Sequence, residues 1–205
     1  RRLLRNAQKV AGQVSLLNDR ISAFTKLARR YYDVRNNTLA SEILSEASML
    51  AATKLEHQSR SVAFGKIALA QAYMGDFVGT RESIDNAAEG EGKQQLSVKV
   101  AEMLVEEERF YEALVWIETL EDEVEYSRLE LRLSSALFYA GRTREALSRI
   151  EQSVPRMQRI YEPSERGMLT SQYARLLARL GKANHSEQLF REAEAVSRGL
   201  TRRKS

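Results

Sequence analysis

His57 and His185 are the first residues to test for chemistry, because imidazole serves as base, proton shuttle and metal ligand. They lie far apart in the 205-residue chain, each beside polar neighbours, and neither belongs to an HxxxH or HExxH pattern. A metal centre needs two or more converging ligands, so both read as surface or corner residues and no metal is expected. "EGEGK" (89–93) has the glycines and lysine of a phosphate loop, but Ala87 and Gln94 occupy the places that require glycine and Ser or Thr. It reads as a flexible linker between helical units. "EEER" (106–109) and "EDEVE" (121–125) could supply paired carboxylates, yet such runs on an amphipathic helix are the mark of a solvated face. The chain has no cysteine, hence no thiol nucleophile, disulfide or thiolate metal site. Two glycosylation sequons, at Asn36 and Asn184, are patterns common by chance and carry no weight. The expectation is a non-catalytic protein without a cofactor.

If the side chains do no chemistry, the elements that carry them must explain the chain. Hydrophobic residues make up 43% and charged residues 29%, which suits a globular protein. There are only two prolines and ten glycines, and no stretch alternates with the period of a half-buried strand, so the chain is expected to be all-α. No apolar run is long enough for a membrane span. Residue 1 is Arg, which suggests a processed or excised N-terminus. The compartment stays open; a cytoplasmic place is favoured over a periplasmic or membrane-anchored one.

One corner recurs five times. A small residue follows each turn, at Ala40, Thr80, Ala113, Ala146 and Ser186, and four residues later comes Leu44, Ile84, Ile117, Ile150 or Phe190. Twelve or thirteen residues upstream lie Leu27–Ala28, Ile67–Ala68, Val100–Ala101, Leu133–Ser134 and Tyr173–Ala174. Each unit is therefore two amphipathic helices packed around a tight turn, the small residue allowing close approach and the i+4 residue filling the seam. Between Ala40 and Thr80 the second helix is expected to run on until Ser59 offers an N-cap. Between Ala146 and Ser186 lie Pro155 and Pro163, so a kink or break is expected there, with Ser164 capping the next helix. Residues 3–17 place Leu4, Ala7, Ala11 and Val14 on one stripe, as the second helix of a partial unit or as a capping helix.

A recurrence of 33 to 40 residues, with glycine at three corners (Gly75, Gly141 and Gly181), resembles the tetratricopeptide repeat. The resemblance covers roughly residues 21–200. Arg35 and Glu108 replace the corner glycine in two units, and the closing proline is missing. The alternative is an ordinary helical bundle with corners alike by chance. The resemblance implies an all-α, TPR-like α–α superhelix of about five helix-turn-helix units, with residues 1–205 as a single domain: a partial unit or cap at 1–20, repeats over 21–200 and a basic tail at 201–205.

The family places the first helix of each unit along a concave groove. That carry-over puts Arg29 and Tyr32, Leu69 and Tyr73, Leu131, Phe138 and Tyr139, and Arg175 and Arg179 at partner-facing positions. Aromatics interleaved with arginine are the types enriched at binding hot spots; packing of helix on helix is the competing role for each. Thr25 and Arg29 stand where the family's carboxylate clamp has Lys and Asn, which speaks against chaperone C-termini as ligands. The implied function is a protein-interaction module or scaffold holding a peptide or protein segment, as adaptor, assembly factor or regulatory sensor.

Charge suggests two other functions. Residues 1–35 carry nine Lys/Arg against two Asp/Glu, residues 102–130 two against eleven, and residues 142–204 fourteen against seven. Basic ends and an acidic middle are expected to form separated patches, which leaves open an electrostatic binder of nucleic acid or anionic membrane and a self-associating scaffold. Nucleic acid is disfavoured, because the basic residues form no motif of known geometry.

Overall fold

The computed structural model describes residues 2–202; the side chains of residues 1–5, 197 and 199–205 lie outside the description. Eleven helices and no strand occur among the described residues. In chain order they are α1 (Arg2–Gly12), α2 (Leu17–Asp33), α3 (Asn37–Lys54), α4 (His57–Met74), α5 (Phe77–Ala87), α6 (Glu91–Glu106), α7 (Phe110–Ile117), α8 (Glu123–Tyr139), α9 (Thr143–Gln158), α10 (Pro163–Arg179) and α11 (Ala183–Arg202). The chain divides into two compact units, 1–103 and 104–205. In the first, α2 packs against α3 and α4, and α4 against α5; in the second, α8 packs against α9 and α10, and α10 against α11. This is a TPR-like arrangement of antiparallel helix pairs.

The corners share one backbone solution. At each, the turn residue adopts the left-handed conformation, with φ of 82° at Gly75, 77° at Gly141 and 80° at Gly181. Arg35 (58°) and Glu108 (57°) take the same conformation without glycine's freedom. Each corner makes the same two backbone bonds that close a helix C-terminus. At the first, Arg35 N donates to Tyr32 O (2.8 Å) and Asn36 N to Tyr31 O (2.9 Å); the fourth repeats this with Gly141 N to Phe138 O (3.0 Å) and Arg142 N to Leu137 O (2.8 Å). The corner is thus kept at positions where the side chain disfavours it.

The residues expected to pack the pairs do so. Ala40, Thr80, Ala113 and Ala146 are fully buried and Ser186 nearly so, as are the upstream pairs from Leu27–Ala28 to Tyr173–Ala174. Leu44, Ile84, Ile117 and Ile150 fill the seams. Phe190 does not: it is 40% exposed, and Leu189 and Ala193 are the buried apolar residues of α11 instead.

Four local expectations are corrected, and the break expected between Ala146 and Ser186 is located. α3 ends at Lys54, where Leu55 turns extended, and α4 starts at His57 with Glu56 at the N-cap position but making no side-chain cap bond, so Ser59 lies inside the helix. α9 continues through Pro155 to Gln158, and the break falls at Ile160–Glu162. Pro163 opens α10 at a position where its missing N–H costs nothing, and the Glu162 carboxylate, not Ser164, is the cap. α6 already starts at Glu91, so "EGEGK" is mostly helix. α1 stops at Gly12, leaving Ala11 buried, Ala7 exposed and Val14 in the following turn; the Leu4 side chain is outside the described residues.

Candidate functional site

In the first unit, α2 and α4 lie side by side and bring four side chains together near their C-terminal ends. The Tyr73 ring meets the Tyr32 ring edge-on, with centroids 6.0 Å apart. The Arg29 guanidinium sits 3.9 Å from the Tyr73 centroid, close enough for a cation–π attraction. The Tyr73 hydroxyl donates to Asp33 Oδ1 at 2.7 Å. Arg29, Tyr32, Leu69 and Tyr73 are all half-buried. Thr25, Gly65 and Ala72, at neighbouring groove positions, are buried and belong to the packing.

The second unit has a matching face on α8 and α10. Tyr139 is 73% exposed, its ring 5.6 Å from that of half-buried Phe138. Arg179 Nη1 donates to the Tyr139 hydroxyl at 3.0 Å, bridging from α10 to α8. Met168, Arg175 and Arg179 recur at helical spacing along the exposed stripe of α10, and Leu131 is half-buried on α8. The face is otherwise neutralised at its far end, where Arg128 bonds Glu125 (2.9 Å) and Glu165 (3.0 Å). The sequence-derived residues therefore fall into two clusters, one per unit.

The expected separation of charge does not survive folding in the second unit. Arginines from the basic stretch reach carboxylates of the acidic one: Arg149 to Glu118 (3.0 Å) and Glu130, Arg156 to Glu123, and Arg159 to Glu123 (3.2 Å). Arg132 likewise takes Glu106 at 2.6 Å. Helix pairing sets residues some 20 to 40 positions apart against each other, so opposite blocks become neighbours. The tail at 201–205 lies outside the described side chains.

Two features had no signal in the sequence. Glu130 is wholly buried in α8 and is held by Arg149, whose Nε also donates to its Oε2 at 3.2 Å. Burial pushes its carboxyl above the ordinary range despite the guanidinium. Burial, followed by the Glu130 charge, also pushes the Tyr126 phenol up to about 12. Beside this pair, α7, α8 and α9 line an open cavity of about 250 Å³, whose walls include Leu133, Leu137, Tyr111, Arg142 and Glu145. No cluster of three or more potential metal ligands occurs among the described residues, and no described helix is long and apolar enough to cross a membrane.

No family model matches the chain, and no curated protein sequence matches it. Among solved structures it is similar to the nearly identical TPR-like repeats of a kinesin light chain-like protein from Podosopora anserina, at 19% identity and a TM-score of 0.44, covering 92% of this chain and 100% of that one. A singly substituted form of the same protein gives 18% identity and the same TM-score and coverage. BtubC (BKLC) from P. vanneervenii is similar at 13% identity and a TM-score of 0.47, covering 98% of this chain and 89% of that one.

Proposed function

We propose that this protein is a non-catalytic interaction module that holds a peptide or protein segment against the exposed faces of its first helices. The observation that carries this reading is Tyr139: a tyrosine almost three-quarters exposed, steadied by a guanidinium and backed by Phe138, in a position the core does not need. Large aromatic surface held in place before binding loses little side-chain freedom on contact, which is why such residues dominate binding energy. Tyr32, Tyr73 and Arg29 form the corresponding cluster in the first unit. The arginine–carboxylate pairing across the second unit weighs against a reading in which bulk positive charge attracts nucleic acid or membrane.

The test is capture of partner protein by wild type and by a Tyr73→Ala, Phe138→Ala, Tyr139→Ala variant, with helicity and melting checked on both. The reading expects a discrete partner, held at moderate salt and lost by the still-folded variant. Retention by the variant, or binding that collapses as salt rises, would point away from the aromatic faces and toward an electrostatic surface.

A further inference from the structure

We propose that the α8/α10 face of the second unit selects an acidic segment, with carboxylates on Arg175 and Arg179 and an adjoining apolar side chain on Tyr139 and Met168. This rests on the peptide-binding reading above and adds the chemistry of the ligand. The arginines of this unit differ in what holds them. Arg128 and Arg132 on α8 are each held by carboxylates of this chain. Arg142, Arg149, Arg156 and Arg159 on or beside α9 are held likewise. Arg175 and Arg179 are exposed, one turn apart on one stripe, and have no carboxylate within ion-pair distance among the described residues. Among the described residues Arg179 is fixed only by the neutral Tyr139 hydroxyl, which orients its guanidinium without satisfying its charge.

The first unit shows what a neutralised version looks like. α2 and α8 start at Leu17 and Glu123, 106 residues apart, and α4 and α10 at His57 and Pro163, again 106 apart. In that register Tyr139 answers to Asp33, Arg175 to Leu69 and Arg179 to Tyr73. The first unit thus places a carboxylate where the second has an exposed tyrosine, and Tyr73 already uses it. An acidic ligand finds there a carboxylate already bonded by Tyr73 and paired with Arg30, whereas the second unit offers two guanidinium groups with no carboxylate beside them among the described residues. A guanidinium pair one turn apart fits two carboxylates in the forked geometry that arginine favours. It is too short for a phosphate backbone, which needs cations along several nucleotides, and the carboxylates at the Arg128 end would oppose its passage.

The experiment pans a phage-displayed random dodecapeptide library on the full wild-type chain and on an Arg175→Gln, Arg179→Gln variant. An Arg191→Gln, Arg198→Gln variant, which alters only paired surface arginines of α11, serves as control. Wild type and control are expected to enrich peptides with two or more Asp or Glu beside Leu, Met, Phe, Tyr or Trp, and the Arg175/Arg179 variant to lose them. A synthetic peptide from the enriched set should bind wild type about tenfold more tightly than the variant, and than its Asn/Gln analogue. Enrichment without acidic bias, lost in Tyr139→Ala, overturns the acidic class while leaving the peptide-binding reading standing. Acidic peptides that bind the Arg175/Arg179 variant equally well also overturn it. No enrichment on wild type defeats both readings, and a labelled oligo-dT that displaces the peptide at lower concentration assigns the arginines to phosphate.

Discussion

Phe24 and Glu130 hold the same place in the two units, 106 residues apart, and both are buried. Their neighbours match as well: Ile43 in α3 answers to Arg149 in α9. In the first unit the pair is apolar and sits in the core with Leu27, Tyr31 and Ala47. In the second it is an ion pair, with Glu118 as a second carboxylate on Arg149. One backbone plan therefore accepts two kinds of core, provided each is internally satisfied. The apolar pair gains from leaving water; the ionic pair must recover the loss of two hydration shells through geometry. A milder contrast recurs at the surface, where Tyr73 is half-buried between Asp33 and Arg29 while Tyr139, bonded by Arg179, keeps most of its surface exposed.

Substitutions at matched sites put this contrast to the test. The largest effect is expected from stranding the buried charge: Arg149→Ala should cost about 3–5 kcal/mol in denaturant unfolding. Phe24→Ala in the first unit should cost a similar ~3–5 kcal/mol, for loss of burial and the cavity left behind. Equal mild effects at both sites would show that neither pair supports its unit. Transplanting the first unit's solution, as Glu130→Phe with Arg149→Ile, should leave stability unchanged or raise it by about 1–4 kcal/mol. A large loss there would mean that the two cores are not interchangeable.

Smaller effects are expected at the corners. Arg35→Gly and Glu108→Gly should each stabilise by about 1 kcal/mol, because the left-handed conformation disfavours a side chain; Gly141→Ala should cost about 1–2 kcal/mol. Thermal melts resolve shifts of that size. The pH dependence is the finest test. Burial raises the folded-state pKa of Glu130 above 4.5, its ordinary value, so its contribution is complete below that pH and is lost as pH rises through the raised value. Melting temperatures of wild type should therefore fall, relative to the Glu130→Phe, Arg149→Ile protein, as pH climbs from about 4 toward neutrality. Parallel curves would show that the carboxyl is not perturbed.

The corner was legible because the physics behind it is local. A small residue, an apolar residue four places on and a buried pair upstream specify a helix hairpin wherever they occur, and Arg35 and Glu108 adopt the glycine conformation because the surrounding pattern demands it. Helix ends were less legible: Glu162 and not Ser164 caps α10, and α4 starts after Glu56, ahead of Ser59, with no side-chain cap bond at all. Glu130 was hidden because a glutamate in an acidic stretch reads as solvated, and only the partner nineteen residues on, Arg149, reveals that it is buried. Of the candidate surface, the aromatic and arginine types were visible by spacing. Which of them were already engaged, as Tyr73 is, depends on cross-helix contacts that spacing alone does not give.

Whether the α8/α10 face is the working surface is read directly from a two-dimensional amide NMR spectrum of the wild-type chain, with and without the acidic peptide recovered by panning. Shift changes are expected to centre on Tyr139, Met168, Arg175 and Arg179, with little change on α9 and α11. Changes centred on the α7–α9 cavity around Tyr111 and Arg142, or none at all, would contradict that assignment.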